Sequence, residues 1–116
     1  MKNFILQAKA VADESRARIL MLLREEELCL CQLITLLDLA PSTVSRHMSM
    51  LVLADLVHAR KEGRWKYYRL ADAEPDTALS WVLDSLAESE SVAHDQKRLQ
   101  EVLAQDKKEL CDRYGY

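Results

Sequence analysis

The sequence predicts one mainly α-helical domain, of the α+β class, with a β-hairpin near the middle of the chain. Hydrophobic residues make up 49% of the 116 residues, whereas glycine and proline occur only twice each. Apolar side chains recur at helical spacing along most of the chain, and only residues 56–70 show strand-like runs around a glycine. A chain of this length is the size of one ordinary domain.

Two short helices are predicted at the start of the chain. Residues 1–12 favour a first helix, because apolar side chains recur through Phe4–Ala12. Asp13 is a residue type that caps helix N-termini. A second helix is therefore predicted to begin after it and to end near Glu25.

Two further helices are separated by a short turn. Residues 28–37 are rich in apolar side chains at helical spacing. Residues 38–42 interrupt this pattern, and Pro41 or Ser42 is suited to begin the next helix. Proline is tolerated there because N–H groups in the first turn of a helix have no partner within the helix, so the N–H that proline lacks is not needed. That helix is predicted to run to about Asp55. Two helices joined by a short turn form a helix-turn-helix.

The fourth helix has an unusual polar face. Val44, Met48, Leu51 and Val52 give it an apolar stripe. The opposite face has short polar side chains, one arginine and one histidine but no acid, whereas solvated faces usually mix glutamate with lysine. Such side chains donate hydrogen bonds to phosphates and base edges. The predicted DNA-contacting residues of this helix are Ser42, Thr43, Ser45, Arg46, His47 and Ser49.

A β-hairpin is predicted over residues 56–70. Its strands are 56–60 and 65–70, and Gly63 in the turn can adopt a positive φ. A basic hairpin after a helix-turn-helix is the order of a winged helix-turn-helix domain. We expect the fourth helix to enter the major groove of double-stranded DNA and the hairpin, or wing, to contact the phosphates. The predicted phosphate contacts are Lys61, Arg64 and Lys66.

The charge distribution supports this interpretation although the net charge of the chain is -3. Residues 42–70 carry six basic and two acidic side chains, a net charge of +4. Residues 1–41 carry five basic and six acidic side chains, and residues 71–116 carry five basic and eleven acidic ones. A basic middle between acidic ends is typical of a small DNA-binding surface on a self-associating scaffold. The alternative is a winged helix that contacts only proteins, without salt-dependent DNA affinity.

The end of the chain is predicted to be helical and to pair two copies. Residues 76–112 carry apolar stripes at 79–86 and 99–103, with a weaker stretch between them. DNA readers of this kind usually act as dimers on near-palindromic sites. We expect helix 1–12 and region 76–112 to form a homodimer around a two-fold axis, flanking a DNA-binding core and wing at 13–70.

The cysteine count and the N-terminus predict a cytoplasmic protein with reduced thiols. The chain has three cysteines, an odd number, and no apolar run near the roughly 20 residues that a membrane span needs. The N-terminus does not have the pattern of a signal peptide. A thiol enzyme is not supported, because the chain has neither a Cys-x-x-Cys redox motif nor a glycine-rich cofactor loop.

Four segments carry a resemblance to a known family: Ala12–Leu20, Glu27–Leu33, Pro41–Met48 and Arg60–Leu70. They resemble the ArsR/SmtB family of metalloregulatory repressors, and within it the arsenic-responsive branch. The resemblance spans most of residues 4–90, and its most specific part is Glu-Leu-Cys-Leu-Cys at positions 27–31. It implies a homodimer that represses its own operon until trivalent arsenic (arsenite) or antimony binds and lowers its affinity for operator DNA.

The predicted metal ligands are Cys29, Cys31 and Cys111. Thiolates are soft ligands that select thiophilic ions, and trivalent arsenic takes three sulfurs in a pyramid, whereas structural zinc takes four ligands. The best-known arsenic-responsive members have a third cysteine three residues after the second, where this chain has Ile34. We expect Cys111 to complete the site, from the same or the partner subunit. Alternatively, Cys29 and Cys31 bind arsenic with an external thiol.

Spacing within the cysteine pair suggests a switch. Positions i and i+2 do not face each other on a regular helix, so chelation by Cys29 and Cys31 is expected to distort the first turn of their helix and to misplace the helix that follows. Two alternatives keep DNA binding but change the signal. One is a thiol redox sensor, and the other is a zinc-type site on the last helix that uses His94, Asp84 and Asp95.

Overall fold

The computed structural model describes residues 2–116. These residues form seven helices and a three-stranded antiparallel sheet with the strand order β1–β3–β2. Met1, the first residue of the predicted helix 1–12, lies outside the described residues. The helices are α1 (Lys2–Val11), α2 (Glu14–Glu25), α3 (Leu30–Leu37), α4 (Pro41–Leu53), α5 (Ala78–Leu86), α6 (Glu90–Leu103) and α7 (Lys107–Arg113). The strands are β1 (Leu28–Cys29), β2 (Val57–Glu62) and β3 (Trp65–Leu70).

The start of α2 confirms the predicted helix cap. The carboxylate of Asp13 accepts a hydrogen bond from the backbone N–H of Arg16 at 3.0 Å, and α2 ends at Glu25. This hydrogen bond holds the pKa of Asp13 below its ordinary value. The buried face of α2 includes Ile19 and Leu20, which are part of the main core.

The third predicted helix begins two residues later than expected. Leu28 and Cys29 form β1, which pairs antiparallel with β3 so that Cys29 lies opposite Tyr67. A two-residue strand has no periodicity to read, and it forms because β3 offers unpaired backbone groups to this side of the sheet. The helix-turn-helix itself is as predicted: Asp38 ends α3 with a left-handed φ of 54°, and Pro41 opens α4.

The wing is a hairpin with a tighter turn than the sequence predicted. The pairing of β2 with β3 runs from Val57 opposite Leu70 to Glu62 opposite Trp65. The turn therefore shrinks to two residues, and its first residue, Gly63, has a φ of +62°. This conformation carries a steric cost for side chains other than glycine and suits a two-residue hairpin turn.

The C-terminal region consists of three helices. The predicted weak stretch separates α5 from α6. A second break, which was not expected from the sequence pattern, separates α6 from α7 at a cap formed by Asp106. Helix α6 packs on α2, where Arg18 donates two hydrogen bonds to the buried carboxylate of Asp95, at 2.8 and 3.0 Å. Among the helices described, none combines the length and the apolar content needed to cross a membrane.

Candidate metal centre and nucleic-acid interface

Three cysteine sulfurs lie together in the core. Cys29 belongs to β1, Cys31 to the first turn of α3 and Cys111 to α7, and all three residues are buried. Their sulfur atoms lie within 4.8 Å of one another. The fold thus brings together the three residues predicted as metal ligands and places Cys111 of the same chain beside the other two.

The expectation that Cys29 and Cys31 share a helix, whose first turn must distort for both to bind one ion, is wrong. Cys29 precedes α3 in an extended conformation (φ -84°, ψ 162°), so it does not share a regular helix with Cys31. The side-chain oxygen of Gln32 accepts a hydrogen bond from the backbone N–H of Cys29 at 2.9 Å and holds this conformation. The two sulfurs therefore approach each other without a distorted turn. The spacing of Cys29 and Gln32 resembles a capping box, and this signal could have predicted the helix start.

The structure contains a disulfide where the sequence predicted reduced thiols. Cys31 and Cys111 are bonded, although 80 positions separate them along the chain, and Cys29 is free. Their Cα atoms are 5.2 Å apart, within the usual range for disulfides. The same two sulfurs are therefore close enough either to bond to each other or, once reduced, to share a ligand.

Helix α3 is fixed to the C-terminal helices by polar contacts. Arg98 on α6 donates hydrogen bonds to the carbonyl oxygens of Leu36 (2.6 Å) and Thr35 (3.1 Å). The hydroxyl of Thr35 donates to the carbonyl oxygen of Cys31 at 2.9 Å and contacts the hydroxyl of Tyr114 at 2.8 Å. The two hydrogen bonds from Arg98 satisfy carbonyl groups at the end of α3 that have no partner within the helix. No sequence signal pointed to Arg98.

A second polar cluster connects the cysteine segment to the wing. Arg60 on β2 donates to the carboxylate of Glu27 at 2.7 and 3.1 Å, and its guanidinium lies 4.5 Å from the centre of the Tyr67 ring. Lys107 on α7 donates to the Tyr67 hydroxyl at 3.2 Å. Because Arg60 binds it, the pKa of Glu27 lies below its ordinary value. The segment before Cys29, the wing and α7 thus meet at Tyr67, which lies opposite Cys29 in the sheet.

Helix α4 has the two faces that its sequence predicts. Val44, Met48 and Leu51 are buried, and Val52 is half-buried. Of the predicted DNA-contacting residues, three are exposed and three are half-buried. The exposed ones are Ser42, Arg46 and Ser49, and the half-buried ones are Thr43, Ser45 and His47.

His47 is held by a residue of α2. The guanidinium of Arg16 lies 3.2 Å from Nδ1 of His47 and is itself held by the carbonyl oxygen of Ala10 at 2.6 Å. A guanidinium can only donate, so Nδ1 accepts and the ring carries its proton on Nε2. Arg16 lies in Ala12–Leu20, a segment that carries the family resemblance, but no pattern in the sequence predicts its contact with α4.

The wing presents its positive charges to solvent. Lys61, Arg64 and Lys66 are all exposed, and Lys61 lies opposite Lys66 in the hairpin. Within residues 2–116 none of the three forms an ion pair. Like charges placed opposite each other destabilise a hairpin. Their presence here therefore favours a function outside the folding of the domain.

The zinc-type site considered from the sequence does not assemble in the described part of the chain. The only group there with metal-binding geometry contains the three cysteines and no histidine. His94 is exposed on α6, and the neighbouring Asp95 is occupied by Arg18.

Comparisons with known proteins agree with this architecture. Residues 13–59 match the family described as "Bacterial regulatory protein, arsR family". The chain is 40% identical over 98 residues to the "Arsenic resistance transcriptional regulator ArsR1" of Pseudomonas putida, covering 81% of this chain and 75% of that protein. It is 44% identical over 68 residues to the "Arsenical resistance operon repressor" of Escherichia coli, covering 58% of each.

Solved structures confirm the fold. HlyU from Vibrio cholerae superimposes with a TM-score of 0.65 at 29% identity, covering 75% of this chain and 95% of HlyU. The homodimeric winged helix-turn-helix domain of Mb0332 from Mycobacterium bovis gives 0.64 at 30% identity, covering 80% and 84%. The fold is therefore a winged helix-turn-helix, and the chain belongs to the arsR family of bacterial regulatory proteins, which makes it a DNA-binding transcriptional regulator rather than an enzyme.

Proposed function

We propose that this chain is a homodimeric repressor that leaves its operator when trivalent arsenic or antimony binds to Cys29, Cys31 and Cys111. One observation carries the proposal: three cysteines from three different elements place their sulfurs within 4.8 Å of one another. Two of the curated relatives that match this chain are named for arsenic or arsenical resistance. Once the disulfide is reduced, the site offers three soft ligands, the number that trivalent arsenic takes.

The DNA-binding surface consists of α4 and the wing. Helix α4 enters the major groove with its polar face, and the Nε2–H of His47 is available to donate to an acceptor there. The predicted base contacts are Ser42, Thr43, Ser45, Arg46, His47 and Ser49. Lys61, Arg64 and Lys66 contact phosphates along the adjacent backbone. Lys61, Arg64 and Lys66 are exposed, and none of the three forms an ion pair within residues 2–116, which supports these roles.

The homodimer forms through α1 and the C-terminal helices. Phe4 on α1 is 61% exposed and Trp81 on α5 is 66% exposed, and both line a cavity of about 790 Å³ between the two helices. Large apolar side chains exposed together are typical of an interface. The division into helix 1–12, core and wing 13–70 and region 76–112 is part of this proposal.

The ligand acts on DNA binding through two adjoining elements. Cys31 lies on α3, which packs against α4, and Cys29 pairs with Tyr67 on β3, which is a strand of the wing. Binding all three sulfurs to one ion fixes the relative positions of β1, α3 and α7. The bonds to sulfur supply the free-energy difference between the DNA-binding and released states.

The test is an arsenite titration of the reduced protein bound to its own promoter DNA, followed by fluorescence anisotropy. A phosphine keeps the thiols reduced, because dithiols compete for arsenic. Arsenite is expected to release the DNA. Replacing Cys29, Cys31 or Cys111 by serine is expected to raise the arsenite concentration needed at least about a hundredfold, since even outer-shell partners of metal sites contribute up to that much.

The serine variants also separate the possible sites. Each should keep its DNA affinity without arsenite, which is the control for folding. An unchanged response in Cys111→Ser would favour a two-cysteine site with an external thiol. DNA that stays bound to protein shown to hold arsenite would overturn the proposal.

A second candidate function is redox sensing, and the disulfide between Cys31 and Cys111 favours it. Hydrogen peroxide oxidises two thiols to one disulfide and is itself reduced to two water molecules. If this is the signal, peroxide without arsenic will release the DNA, and dithiothreitol will restore binding. If arsenic is the signal, oxidation will block the arsenite response but leave the protein on DNA.

A further inference from the structure

A cavity of about 390 Å³ opens beside the three cysteines. All three cysteines line it, together with Ser45 of the recognition helix α4. The wing supplies four further residues to its wall: Lys61, Arg64, Trp65 and Lys66. Neither arsenite nor antimonite needs this space, because each is held by the sulfurs alone.

The wall of this cavity selects for an anion. Three of its residues, Lys61, Arg64 and Lys66, are cations, and it contains no aspartate or glutamate. An anionic group placed among these cations gains charge-assisted hydrogen bonds from their side chains as well as charge neutralisation.

We propose that the cavity binds the anionic organic substituent of a mono-substituted trivalent arsenical, while two of the three cysteines hold its arsenic. This inference rests on the proposed function and defines the ligand class of the same site. In the reaction, R–As(OH)₂ and two thiols give R–As(S–Cys)₂ and two water molecules. Arsenic stays trivalent, its bond to carbon is kept, and the thiol protons leave with the water.

The cavity is large enough for an aromatic substituent with a carboxylate. An apolar cavity of about 150 Å³ binds benzene in another protein, and this one is more than twice that volume. Lys61, Arg64 and Lys66 are also the proposed phosphate contacts. An anionic substituent therefore competes with the DNA backbone for the same charges.

The experiment compares phenylarsine oxide with its 4-carboxy derivative on the reduced full-length protein without DNA. Each complex is titrated with dithiothreitol, and release is followed by tryptophan fluorescence. We expect the carboxylated probe to need about tenfold more dithiothreitol, which is the effect of one charge-assisted hydrogen bond. The variant K61Q/R64Q/K66Q should lose this preference, whereas K97Q, which removes an exposed lysine on α6 outside the cavity, should keep it.

Arsenite binding by the same variants separates the two proposals. The triple variant should hold arsenite as tightly as the wild type, which also shows that it folds. Equal release of the two probes from the wild type, or a preference that persists in the triple variant, would overturn this inference alone. A wild-type chain that binds neither arsenite nor either probe would overturn the proposed function and this inference with it.

Discussion

The two helices of the helix-turn-helix, α3 and α4, differ strongly in how many of their residues are buried. Seven of the eight residues of α3 are buried, whereas only three of the thirteen residues of α4 are. Helix α3 is also held at its carbonyl groups by Arg98 and at its start by Gln32. The helix that carries a candidate ligand thus has little freedom to absorb strain. In a close-packed core, a displacement at Cys31 is passed on to the neighbours of α3, and α4 is one of them.

Leucine truncation should give the largest contrast between the two helices. Leu33 on α3 is 0% exposed and Leu53 on α4 is 68% exposed. Leu33→Ala should lower the free energy of unfolding by about 2–5 kcal/mol, because it removes buried methyl groups and leaves a cavity. Leu53→Ala should change it by less than about 0.5 kcal/mol. Urea unfolding measures both, and equal effects would contradict the comparison.

Sequence patterns predicted the elements in which the side-chain period repeats several times, and those marked by a capping residue or a turn glycine. The stripe of α4, the cap at Asp13 and the positive φ of Gly63 follow from side-chain spacing and residue type. Strand β1 could not be predicted, because two residues have no period and its pairing partner lies about 40 positions away. Because β1 was not predicted, Cys29 was expected to be helical. The proximity of Cys111 was expected from the need for a third sulfur and not from any pattern in α7.

Removing Arg98 should loosen α3 from α6. Arg98→Met keeps most of the aliphatic stem but leaves the carbonyl oxygens of Thr35 and Leu36 without their donors. We expect a loss of about 1–3 kcal/mol in the free energy of unfolding, the cost of unsatisfied buried polar groups. Native-state hydrogen exchange should show faster exchange of amides in α3. Exchange that accelerates equally throughout the chain would contradict a local role.

The exposed face of α4 should matter for DNA and not for stability. Because Arg46 is a proposed base contact, Arg46→Gln is expected to lower discrimination between operator and random DNA and to leave the slope of log affinity against log salt concentration unchanged. If Arg46 contacts a phosphate instead, the slope will fall by about 0.9. The control, Lys97→Gln on α6, should change neither quantity. A loss of unfolding free energy above about 0.5 kcal/mol in Arg46→Gln would contradict the comparison.

The smallest expected effect is a pH dependence of the stability, and it arises from Asp13 at the start of α2. This is also the helix whose Arg16 holds His47 on α4. The pKa of Asp13 is lower in the folded chain than the ordinary value of 3.8, chiefly because the carboxylate accepts the N–H of Arg16. Its ionised form therefore stabilises the fold above pH 3.8, and this contribution is lost as the pH falls through the lowered pKa.

Asp13→Asn keeps a capping oxygen but has no charge to titrate. At neutral pH it should be less stable than the wild type by about 0.3–1 kcal/mol, the value of a negative charge at a helix N-terminus. Thermal unfolding at a series of pH values should show this difference shrinking toward zero below pH 3.8. Asp13→Ala, which also removes the acceptor, should cost about 0.5–2 kcal/mol at neutral pH. The stability difference between wild type and Asp13→Asn could instead stay constant down to pH 2. The cap would then act through its geometry alone, and the link from α2 to His47 would not depend on the charge of Asp13.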